Sequence, residues 1–194
     1  MIKIEKINTL CKGKYLELKE VFFDYFGKKR RWEVCNSHDS VAVLIYDKDL
    51  ESVIMVKQFR LPVFLKNEDG YSYELCAGLC DKNKSKLTIA KEEIQEECGY
   101  DVDESKIIKI TSTWASVGTN AANQTVYYVE VTQKEKVGLG GGIDDEDIEI
   151  VEIKKDDVRD FVFDESKVIT PGAKFALMWW VHKNQNETPN RELF

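Results

Sequence analysis

Apolar and polar residues alternate along much of the first 66 residues, and that pattern predicts strands more than helices. The opening Met1-Ile-Lys-Ile-Glu-Lys alternates apolar with charged, and residues 15–23 alternate at their start. Residues 31–34 give a short strand, and residues 40–46 (Ser-Val-Ala-Val-Leu-Ile-Tyr) form a continuous apolar run. Asp47-Lys-Asp is turn chemistry, and residues 52–60 return as the second strand of a hairpin. Asn67-Glu-Asp-Gly is a loop signal, followed by a strand over 71–76 that Ala77-Gly78 closes. A polar stretch then leads into a helical period over residues 87–98, stopped by Gly99. Strands are predicted at 106–114, 125–131 and 148–153, with a Gly/Asn-rich loop between the first two. The run Gly138-Leu-Gly-Gly-Gly reads as flexible. Thr170 as N-cap and Pro171 in the first turn open a final helix through about His182, in which Phe175, Trp179 and Trp180 read as core. Residues 184–194 form a polar tail expected to be loose. The predicted class is α+β with a mixed sheet. Its expected division is an N-terminal β element (1–36), a main domain (37–183) and the tail.

Composition narrows the function classes. The 194 residues hold 28 Lys+Arg against 35 Asp+Glu, a net charge of −7, with 43% hydrophobic residues. This suits one folded domain with a small appendage and argues against disorder. The longest apolar stretches, residues 41–46 and 175–181, are far short of the ~20 residues a membrane helix needs, and the N-terminus has no signal-peptide apolar region. Five cysteines, an odd number with no Cys-x-x-Cys pair, predict reduced thiols and a cytoplasmic location. Cys76 and Cys80 lack partners for a zinc set, since His38 and His182, the two histidines, stand in unrelated contexts. The acidic balance disfavours nucleic acid, and Lys28-Lys-Arg-Arg31 reads as a solvated turn. A phosphate substrate brought in with divalent cations stays open.

The segment Ala90-Lys-Glu-Glu-Ile-Gln-Glu-Glu-Cys-Gly99 carries the most chemistry. On a helix, Leu87, Ala90, Ile94 and Cys98 form one apolar stripe. Glu93 and Glu97, four apart, border it, while Glu92 and Glu96 point further away. Like charges at that spacing repel by roughly 0.2–0.5 kcal/mol per pair. Glu96 and Glu97 also lie in the last turn, where the helix dipole prefers cations. A solvated face accounts for Glu92 and Glu96 but leaves Glu93 and Glu97 without a reason. A bound divalent cation supplies one.

Residues 78–100 resemble the Nudix box. Gly78, Glu93, Ile94, Glu96, Glu97, Gly99 and Tyr100 fall at that motif's spacings. Two positions depart: Lys84 stands where the box has Glu, and Glu92 where it has Arg. Because both charges are reversed, the structural ion pair these positions make in the family is expected to survive with opposite polarity. Val56-Lys-Gln-Phe-Arg-Leu-Pro-Val, Tyr73-Glu-Leu-Cys-Ala-Gly-Leu and Trp114-Ala-Ser-Val-Gly extend the resemblance to the nucleoside diphosphate sugar pyrophosphatases, the animal enzymes of UDP-glucose in particular.

That resemblance implies a Nudix fold, a mixed sheet in an α/β/α sandwich preceded by an antiparallel β element that builds a homodimer. It implies Mg²⁺ (with Mn²⁺ as a substitute) held by Glu93, Glu97, the Ala77 carbonyl and Glu146. Catalytic roles fall to Glu97, Glu146 and Asp144, the last two on an acidic loop expected to close over substrate. Within residues 144–147 the choice of general base stays open. Arg60 is implied as a phosphate contact and Glu74 as a contact to substrate or metal-bound water. Trp32 either stacks on the base or is a core or interface tryptophan. The implied reaction cleaves nucleoside diphosphate sugars, UDP-glucose first and ADP-ribose second. The rival is a Nudix-fold module that binds nucleotide sugars without cleaving them.

Overall fold

The computed structural model describes residues 1–14, 16–143 and 146–186. Two sheets are present among them. The first is three-stranded and antiparallel, with order β1 (Ile2–Lys12), β2 (Glu17–Tyr25), β3 (Lys28–Asn36). The alternation seen at the N-terminus is thus an eleven-residue strand. Register shifts between Ile4 and Lys6 and between Thr9 and Cys11 break its strict period. The basic cluster expected in a turn opens β3 instead, where Lys29 and Arg31 pair with Glu5 and Glu20.

The second sheet has seven strands. Its main path runs β10 (Ile148–Lys154), β5 (Ser52–Phe59), β4 (Ser40–Asp47), β9 (Ala122–Val131), β8 (Ile108–Ala115), with β6 (Tyr71–Glu74) on β5 and β7 (Cys76–Leu79) on β4. The β4–β9 pair is parallel and the other pairs are antiparallel, so the sheet is mixed. The continuous apolar run of β4 has a simple cause: both of its faces are covered. Val41, Val43 and Ile45 pack with Ile89, Ala90, Ile94 and Cys98 of α2 (Lys86–Cys98). Ala42 and Leu44 pack on the opposite side with Val158 and Val162 of α3 (Val158–Phe163) and Ala176, Leu177 and Trp180 of α4 (Pro171–Asn186). This is the expected α/β/α sandwich.

Several local readings change, among them the single strand expected over 71–76 and closed by Ala77-Gly78, which is two strands, β6 and β7, the second running through both of those residues. Residues 61–67, taken with the strand region, form α1 (Leu61–Asn67), so Arg60 is that helix's N-cap residue rather than a strand end. The short α3 had no periodic signal long enough to announce it. The C-terminal helix extends to Asn186, past the expected boundary at 183, and residues 187–194 lie outside the described residues. Trp180 is core and Trp179 packs against it, whereas Phe175 is 44% exposed. No helix among the described residues is long and apolar enough to cross a membrane.

Candidate active site

Helix α2 begins at Ser85, whose side chain accepts the Thr88 amide, and ends at Gly99 in the left-handed region at φ 71°. Its buried residues are Ile89, Ala90, Ile94, Cys98 and, against expectation for a carboxylate, Glu97. Glu97 is only 4% exposed. The Ala77 amide on β7 donates to its Oε2 at 3.0 Å. Glu93, one turn earlier, is half-buried over β7, where Gly78 makes room for it. A Cβ at Gly78 would come within 2.0 Å of Glu93 Oε1. Gly78 is therefore required by close approach, not by its backbone angle.

Burial without a cation shapes the electrostatics. Desolvation is the largest cause pushing Glu97 up to about 8, and the charges of Glu93 and Glu146 add to it. Glu93 is pushed up to about 7, first by burial and then by Glu96, with Glu146 and Glu92 contributing. Three acidic groups from α2 and the segment before β10 thus share one field; Lys82 partly offsets it at Glu93, but among the described residues no Lys or Arg is ion-paired with Glu93 or Glu97. Such a group releases its protons readily to a divalent cation. Among the described residues no three His, Cys, Asp or Glu side chains close into a finished cage. An open carboxylate set still suits Mg²⁺, which keeps several waters. On this chemistry the donors fit the ion.

Arg60 faces the same field, its guanidinium responding to Glu97 and Glu146. Its closest partner is Glu74: Nε donates to Oε1 at 2.8 Å and Nη2 to Oε2 at 2.9 Å. Ser72, which the sequence did not single out, donates to Glu74 Oε1 at 2.6 Å. Burial opposes the charged form of Glu74, yet the Arg60 and Ser72 hydrogen bonds hold its carboxyl below the usual range. Arg60 and Glu74, predicted as separate contacts, are thus partners in a bidentate pair.

Glu146 lies at the exposed edge of this group, its Oε2 accepting the Ile143 amide at 3.1 Å. Asp144 lies outside the described residues. Trp32 belongs to the other sheet. It is 52% exposed, and its Nε1 donates to the Gly118 carbonyl at 2.9 Å, so it is not core. The structure therefore gathers Ala77, Glu93, Glu97, Glu146, Arg60 and Glu74, and sets Trp32 apart on β3.

The reversed pair is formed: Lys84 Nζ lies 2.5 Å from Glu92 Oε1. It braces the loop before α2 against the helix, at the surface, so its effect on stability is small. Substituting K84E places two like charges there and lowers the melting temperature. The double variant K84E/E92R restores it, as a thermal melt of both will show; a double variant no better than the single contradicts the brace.

Comparison with known proteins places this geometry. The NUDIX domain family matches residues 36–173. The uridine diphosphate glucose pyrophosphatase NUDT14 of Bos taurus is 30% identical, covering 91% of this chain and 95% of its own length. A GDP-mannose pyrophosphatase of Salmonella arizonae is 35% identical over 75% of this chain and 80% of its own. A crystal structure of an ADP compounds hydrolase superposes with a TM-score of 0.73 at 16% identity, covering 96% and 97% of the two chains, and shows the shared fold. With the family model matched over residues 36–173 and a 30% identical relative aligned along nearly its whole length, the chain belongs to the Nudix family, in the branch of the nucleoside diphosphate sugar hydrolases.

Proposed function

We propose that this protein hydrolyses the diphosphate bond of nucleoside diphosphate sugars with Mg²⁺, releasing nucleoside monophosphate and sugar 1-phosphate. UDP-glucose is the first substrate and ADP-ribose the second. The observation that carries the reading is the pair Glu93 and Glu97, half-buried and buried beside β7 without an ion-paired Lys or Arg, both raised chiefly by burial. Glu93, Glu97, Glu146 and the Ala77 carbonyl would hold the ion, with Mn²⁺ as a substitute. When bound, a divalent cation neutralises the diphosphate and acidifies water for in-line attack.

The chain's own residues supply the rest. Arg60, anchored by Glu74 through Nε and Nη2, turns its remaining Nη1 edge to phosphate oxygens. A carboxylate of the 144–147 segment, Glu146 or Asp144, takes the proton of the attacking water. Trp32, half-exposed and apart from the acidic group of its own subunit, offers a ring face for the base of substrate held by a partner subunit. Ile2, Ile4, Ile7 and Leu10 on the first sheet are each about half exposed, which supports a homodimer built on the N-terminal β element (1–36) beside the hydrolase domain (37–183).

The test is direct. Purified protein with Mg²⁺ and a panel of UDP-glucose, ADP-ribose and GDP-mannose is assayed for nucleoside monophosphate. The expected result is Mg²⁺-dependent release, fastest from UDP-glucose. Binding of panel members without release from any would favour the non-catalytic module.

A further inference from the structure

The glycine-rich stretch that reads as flexible is docked. The Gly141 amide donates to the Glu97 carbonyl at 2.8 Å and the Gly142 amide to the Glu96 carbonyl at 3.1 Å. The amides of Val137 and Gly138 both donate to the Gly99 carbonyl, at 2.8 and 3.2 Å. Lys136 Nζ donates to the Cys98 carbonyl at 2.7 Å. These carbonyls close α2 and have no donors within the helix. One segment, residues 136–142, thus satisfies the end of the helix that carries Glu93 and Glu97.

Side chains are excluded from this contact. A Cβ at Gly140 (φ +74°) would lie 2.4 Å from the Glu97 carbonyl oxygen, and one at Gly99 (φ +71°) 2.3 Å from that of Gly138. A Cβ at Gly142 would lie 2.7 Å from Glu146 Oε2. The glycines therefore let two backbones meet beside the acidic group; they are not simply a hinge.

Charge points the same way. Helix α2 has no basic residue in its last turn, where the dipole calls for one. Lys136 supplies that cation from elsewhere in the chain. Its ammonium lies 4.4 Å from the centroid of the Tyr100 ring, and Tyr100 is itself fixed by a 2.9 Å hydrogen bond to the buried Asp47.

We propose that residues 136–142 are a fixed bracket, with Lys136 as its positioning residue, that holds the Glu146 segment and the end of α2 in one constant relation for cation binding. The bracket rests on the proposed reading of Glu93, Glu97 and Glu146 as metal ligands.

The test uses the full chain and Mn²⁺ alone, with binding read by electron paramagnetic resonance and amide exchange read on the wild type. Amides of Gly141 and Gly142 are expected to exchange at least about a hundredfold slower than open amides. K136M is expected to weaken Mn²⁺ binding about tenfold or more, the scale of lost outer-shell support at metal sites. K136R, which keeps the donor and the charge, should stay within about threefold of wild type. The sign is diagnostic, because removing a positive charge would by itself tighten cation binding. Unprotected Gly141 and Gly142 amides, or unchanged or tighter binding in K136M, overturn the bracket. If K136M does not fold, G140A replaces it with the same weakening expected, and the wild-type exchange stands independently. Wild-type protein that binds no Mn²⁺ overturns the metal-site reading and the bracket's role with it. Protein that binds Mn²⁺ yet cleaves no nucleotide sugar overturns the hydrolase reading alone.

Discussion

Replacing Glu97 by Gln is expected to lower kcat about a thousandfold and, in the metal-free protein at pH 8, to raise the melting temperature. The two effects share one cause. Glu97 is buried, accepts one amide from Ala77, and has no Lys or Arg ion-paired with it, Arg60 being bonded to Glu74 instead. Its charged form is therefore costly to the fold. A Gln side chain has the same shape and still accepts that amide, but carries no charge to desolvate. It also loses the charge that would hold a divalent ion. Losing about 4 kcal/mol of transition-state stabilisation corresponds to three factors of ten in rate. Steady-state kinetics at saturating Mg²⁺ and a thermal melt in chelator check both arms. A loss in kcat below about tenfold removes Glu97 from the machinery. A fall in melting temperature would mean that the carboxylate is held for packing.

The stability of the metal-free protein should fall as pH rises from about 4.5 to about 8. Glu93 is raised from 4.5 to about 7 and Glu97 from 4.5 to about 8, in both cases chiefly by burial. Between those limits the folded state binds more protons than the unfolded state, so the slope of unfolding free energy with pH is negative. The contribution is fully present below the unfolded value and is lost as pH passes through the folded ones. Excess Mg²⁺ binds the deprotonated pair and should restore stability most strongly at the alkaline end. Denaturant melts from pH 4.5 to 9, in chelator and in Mg²⁺, would show the two curves diverging with pH. The E93Q/E97Q double variant should flatten the chelator curve. Curves that stay parallel, or a slope unchanged by the double variant, would place the pH dependence elsewhere in this acidic chain.

Much of this was legible in the sequence because it is local. The β4 run, the α2 stripe and its Gly99 stop depend on residues a few positions apart, whereas the pairing of Lys84 with Glu92 came from the resemblance to the Nudix box. The place of Glu97 at the border of that stripe was legible too, but its full burial was not. What escaped depends on the tertiary fold. Helix α1 has seven residues, no buried member and a proline at its start, so no apolar face announced it. Arg60 and Glu74 meet only across the β5–β6 pair: Arg60 follows β5 beside Gly70, Glu74 stands opposite Val56, and the long guanidinium side chain spans the ladder between them. The glycine run carried the composition of a flexible loop, since nothing in its own residues names the α2 carbonyls it meets. Phe175 follows the helical pattern of α4 but falls on its outer side.

On the proposed function, Glu93 and Glu97 gather divalent ions beside β7. Anomalous diffraction from crystals grown with Mn²⁺ tests it most directly. The predicted result is a peak within coordination distance of the Glu93 and Glu97 carboxylates that is absent from the E97Q variant. Crystals showing no peak there, with Mn²⁺ bound elsewhere or with lysine or arginine side chains turned in to neutralise both glutamates, would contradict it.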